Sequence, residues 1–123
     1  MNKEIIIQEL ASLIRTLDFI QEEQAFIKFK LIDLIERMQE GAGVVWAEEM
    51  HQQILNRELA IQLVQKDVIP LNRKLKITAS VDFQEKDTLC LLKKYKQQVA
   101  YLEQEFLNWK REVDVYLEMP GVN

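Results

Sequence analysis

Glu48 and His51 are the residues whose types and spacing come closest to a reactive site. Three apart on a helix, they match the Glu-x-x-His spacing with which ferritin-like bundles present ligands to paired metals. Such a centre needs further inward carboxylates and a second Glu-x-x-His. His51 is the only histidine, so a metal-binding bundle enzyme or metal store would need a site shared across a dimer. Glu48 is also what a helix's first turns favour through the macrodipole alone. Cys90 is the only cysteine and lies among lysines, but nothing near it in the sequence completes a nucleophile–base pair. There is no glycine-rich phosphate loop and no Ser/His/Asp set. The chain is expected to be neither an enzyme nor a cofactor carrier.

A second group could hold an anion. Arg73, Lys74 and Lys76 close one helical stretch, and Lys93, Lys94 and Lys96 open the next. Arg73, Lys74, Lys93 and Lys94 are the candidates for a phosphate or a nucleic-acid backbone. Tyr95 belongs to an apolar seam and is not free to stack on a base, and a net charge of −4 discourages a general nucleic-acid binder. Trp46 and Trp109 are large aromatics at helical spacing, expected to meet in the core near Gly41.

The third group is apolar. A helix turns ~100° per residue, so Leu55, Leu59 and Leu63 form a row about half a turn away from their helix's main apolar face. Phe19, Phe26 and Phe29 likewise sit more than ~100° from the seam of the preceding helix, with Phe26 level with Leu59. Together they exceed the ~300–600 Å² of the largest apolar patch on a typical monomer. These six residues are the expected partner-binding surface. The competing expectation is that a bent first helix buries the phenylalanines within the monomer.

The elements that must position these groups are long helices. Three glycines and two prolines in 123 residues leave few turns, and 29% charged residues suit amphipathic helices. The first helix is expected over about 3–40, capped by Asn2, with seam Ile6, Leu10, Leu13, Leu17, Ile20, Gln24, Ile27, Leu31, Leu34 and Met38. Gly41-Ala42-Gly43 supplies its stop, Gly41 or Gly43 taking the left-handed conformation. The second, about 44–78, carries Ala47, Met50, Ile54, Arg57, Ile61, Val64, Val68, Leu71 and Leu75 and is expected to kink near Pro70 without breaking. Asp82 with Glu85 reads as a capping box for the third helix, about 83–119. Its seam is Leu92, Tyr95, Val99, Leu102, Phe106, Trp109, Val113 and Tyr116, and Pro120-Gly121 ends it.

Equal lengths and short connections predict a single all-α domain over 1–123: an up-down-up antiparallel three-helix bundle with coiled-coil-like packing. Gln24 and Arg57 fall in neighbouring layers, either bonded to each other or with Arg57 reaching out to Glu23 or Glu103. The architecture resembles a spectrin-type repeat or a small helical secretion chaperone, a likeness of fold that carries no functional residues. No stretch approaches the ~20 apolar residues of a membrane span, the N-terminus lacks a signal-peptide core, and the lone cysteine favours a reducing compartment. The expectation is a cytoplasmic, non-enzymatic interaction module (adaptor, scaffold or chaperone-like). It would pair through its first two helices, as a homodimer or with another helical protein.

Overall fold

The computed structural model describes residues 2–118. Three α-helices, α1 (Lys3–Met38), α2 (Ala42–Ile77) and α3 (Glu85–Leu117), account for most of them, with one 3₁₀ turn at Ser80–Asp82 and no strand among the described residues. The helices pack up-down-up as an antiparallel bundle, each contacting the other two.

The caps explain where each helix begins and ends. Asn2 Oδ1 accepts from the Ile5 N–H at 2.9 Å, the expected N-cap of α1. The expected glycine stop is corrected. The residue that turns the chain is Gln39, at φ 63°, and the Glu40 N–H donates to the Met38 carbonyl at 2.7 Å, closing a strained γ-turn. Gly41, at φ 108°, is instead the residue before α2, and Ala42 and Gly43 already belong to that helix. Pro70 lies inside a continuous α2, exposed, where water can satisfy the Lys66 carbonyl it leaves without an N–H.

The capping box is also corrected. The Asp82 N–H, which a capping box would offer to the Glu85 side chain, donates to the Ala79 carbonyl at 2.9 Å within the 3₁₀ turn. The cap position falls to Gln84, whose side chain makes no capping bond. The Pro120-Gly121 stop lies outside the described residues.

Most seam residues are buried. The exceptions towards the ends of α2 and α3 follow from helix geometry: a seven-residue repeat drifts ~20° per heptad on a straight helix. By the end of α2 the drift turns Asn72 inward and leaves Leu71 half-buried, and by the end of α3 it buries Leu117 and leaves Tyr116 half-buried. Asn72 is satisfied there, its Nδ2 donating to the Ile7 carbonyl of α1 at 3.0 Å. Leu13 and Met50 are half-buried as well. Met38 is exposed at the end of its helix, its Sδ and Cε close over Gly43.

Polar pairs fix the register. Gln21 faces Gln65 (3.3 Å) and Lys28 faces Glu58 (3.5 Å) across α1 and α2, while Glu9–Lys96 (2.8 Å) and Glu23–Lys110 (3.9 Å) tie α1 to α3. At mid-height Arg57 donates Nη1 to Gln24 Oε1 at 2.8 Å and Nη2 to Glu105 Oε1 at 3.3 Å. The expected bond to Gln24 forms, and the carboxylate that Arg57 reaches is Glu105, not Glu23 or Glu103. The guanidinium carbon also stands 4.8 Å from the Trp109 ring centroid, a cation–π contact. Burial pulls the Arg57 pKa down and Glu105 pulls it back up.

Candidate functional site

The six outward residues all lie outside the buried core cluster. Leu59 and Leu63 are each 59% exposed, Phe26 60% and Phe29 77%, with Phe19 and Leu55 less open but still exposed. No bend of α1 draws the phenylalanines inward.

Height and direction can be read separately. Lys28 faces Glu58, so stepping back along α1 to Phe26 means stepping forward along α2 to within about one residue of Leu59. The heights agree with expectation. The directions diverge. Phe19 meets Phe106 of α3 edge-on, centroids 6.5 Å apart, so it leans towards α3. Phe26, two turns on, shares that side, and Lys30 Nζ lies 4.4 Å from its ring centroid. Phe29 points straight out. On α2 the leucine row advances ~40° per step, with Leu55 on the α1 side, Leu59 straight out and Leu63 on the α3 side. The Lys28–Glu58 pair lies in the groove between the helices, so the six residues form two apolar strips at overlapping heights, not one unbroken face.

The outward line of α2 carries more than leucine. By the same rotation Glu48, Gln52, Lys66 and Arg73 lie within ~40° of Leu59, and all four are exposed. The acidic residue comes before the leucines and the basic ones after. Apolar spacing alone hides this pattern; reading charge along the same line would have found it.

Glu48 is exposed, whereas His51 is half-buried and its Nε2 is enclosed without a hydrogen-bond partner. Among the described residues, no three His, Cys, Asp or Glu side chains group so as to hold a metal ion. Arg73, Lys74, Lys93 and Lys94 are exposed at the end of the bundle where α1 begins and α2 ends, where Lys3 Nζ donates to the Thr78 carbonyl. A cavity there places Lys74 with Asp82 and Asp87, and another places Lys3 and Lys76 with Glu4 and Glu85; Arg73, Lys93 and Lys94 line neither. Cys90 is free and exposed.

The two tryptophans do not pair as expected. Trp46 stacks on Tyr116, centroids 3.7 Å apart, while Trp109 packs by Phe106 at 6.2 Å. Trp109 is core and Trp46 half-buried against it. A groove between α2 and α3 runs over Arg57 with Asn56, Tyr101 and Asn108 on its walls, but Glu105 already neutralises the guanidinium.

No helix among the described residues is long and apolar enough to cross a membrane. No protein family, curated protein or solved structure matches this chain.

Proposed function

We propose that this chain is a non-enzymatic protein–protein interaction module that docks through the outward strips of α1 and α2: Phe19, Phe26, Phe29, Leu55, Leu59 and Leu63. One observation carries the reading: large apolar side chains stand in solvent at overlapping heights on adjacent helices, and all but Phe19, which meets Phe106, stand apart from the core cluster. Left bare, such surface would drive non-specific association; a specific partner is the economical cover. The helices hold it rigidly, which keeps the ordering cost of docking low.

The test is retention on immobilised protein, comparing wild type with a Phe26→Ser/Leu59→Glu double variant of unchanged helicity. The reading requires a bound polypeptide, either this chain or another, that the double variant loses. Equal retention by both proteins, or none by either, would remove it.

A further inference from the structure

We infer that the partner of the α2 strip is a second copy of this chain, bound antiparallel about a two-fold axis through Leu59; this deepens the interaction reading above and rests on it. The commonest closed oligomer is a two-fold dimer, in which one patch must complement itself. The α2 outward line does so. Leu55 and Leu63 lie four residues either side of Leu59, so an antiparallel pair sets Leu59 on Leu59 and each Leu55 on the other copy's Leu63.

Charge selects the direction. On that line Glu48 precedes the leucines and Lys66 and Arg73 follow them, and none of the three has an intrachain ion pair among the described residues. Antiparallel pairing brings the acidic end of each strip towards the basic end of the other, while parallel pairing opposes like charges. The whole bundle has the same polarity. By formal count, residues 3–21, 61–78 and 82–102 carry +3 and the rest −7, together the chain's −4. Only the antiparallel arrangement lays the positive half of one bundle along the negative half of its partner.

A second copy must cover more than the three leucines. A stable interface buries ~800 Å² on each side. Three leucines fall short of that alone, and Phe29, on the neighbouring helix at nearly the same height, extends the apolar centre with Gln52 and Lys66 as its polar rim. The arrangement also puts Glu48 and His51 of the two copies at opposite ends, so it and a metal site shared between copies exclude each other.

The test begins with the full chain carrying Cys90→Ser. Gln52→Cys and Lys66→Cys variants are prepared separately, then treated alone and mixed with a thiol cross-linker of ~10 Å reach, enough to span helices packed about 8–10 Å apart. The inference expects the mixture to cross-link several-fold more than either variant alone, with the excess lost when Leu59→Glu is added and weakened by high salt. Strong cross-linking of each variant to itself would mean a parallel pair, overturning this inference while leaving the interaction function standing. A monomer in sedimentation at tens of micromolar would overturn self-association, and the function above would then depend on a different polypeptide retained in the binding experiment.

Discussion

Arg57 Nη1 donates to Gln24 Oε1 at 2.8 Å inside the bundle, joining the only polar interruptions of the expected α1 and α2 seams. Removing one partner leaves the other's polar atoms buried and unsatisfied, at about 1–3 kcal/mol. Gln24→Leu should therefore lower unfolding stability by that amount. Gln24→Leu with Arg57→Leu should recover most of the loss, since apolar replacement of a buried polar pair is often neutral or stabilising. Urea titration checks this; losses that simply add would mean that the two residues act independently.

Gln39 holds a positive φ that a side chain disfavours, and its γ-turn is the strained form. Gln39→Gly should relieve this and raise stability by about 1 kcal/mol, read as a higher denaturation midpoint at unchanged slope. A lower midpoint would show that the Gln39 side chain stabilises the turn by more than its backbone costs.

Pro70 interrupts the hydrogen bonding of α2 from an exposed position. Pro70→Ala should restore the bond to the Lys66 carbonyl and add up to ~3 kcal/mol. A loss of stability would mean that the packing of α2 depends on the proline's local geometry.

Burial, with Asp67 of α2 adding to it, raises the Tyr95 pKa above its usual 10.0. The folded state therefore holds the phenolic proton more tightly than the unfolded chain does. Its contribution is fully present below pH ~10 and is lost as pH rises through the folded value. Between neutral pH and pH 11, wild type should lose more stability than Tyr95→Phe does; equal losses would place the phenol in water.

The sequence reveals the helices and their seams because 3-4 apolar spacing is a direct image of one buried stripe. It misplaces caps where a local pattern had a rival: Asp82 suits a capping box, yet a 3₁₀ turn uses it first. It misses Asn72 because a strict seven-residue repeat ignores the drift of a straight helix, and because a buried amide becomes plausible only when its acceptor, the Ile7 carbonyl, is known. At the candidate surface, height follows from counting residues across the turn. Direction does not, since Phe19's lean towards α3 depends on how α3 docks, which no local pattern encodes.

Two neighbouring residues decide whether the outward leucines join molecules or help to close the fold. Leu59 and Ile61 lie two residues apart, one 59% exposed and the other fully buried. Sedimentation and far-ultraviolet dichroism of Leu59→Glu and Ile61→Glu give the answer. Leu59→Glu should stay helical and become monomeric, with some stability lost because association stabilises the native state by mass action. Ile61→Glu should unfold, as a buried unpaired charge requires. If Leu59→Glu unfolds as completely as Ile61→Glu, the leucine row belongs to the core and is no docking surface.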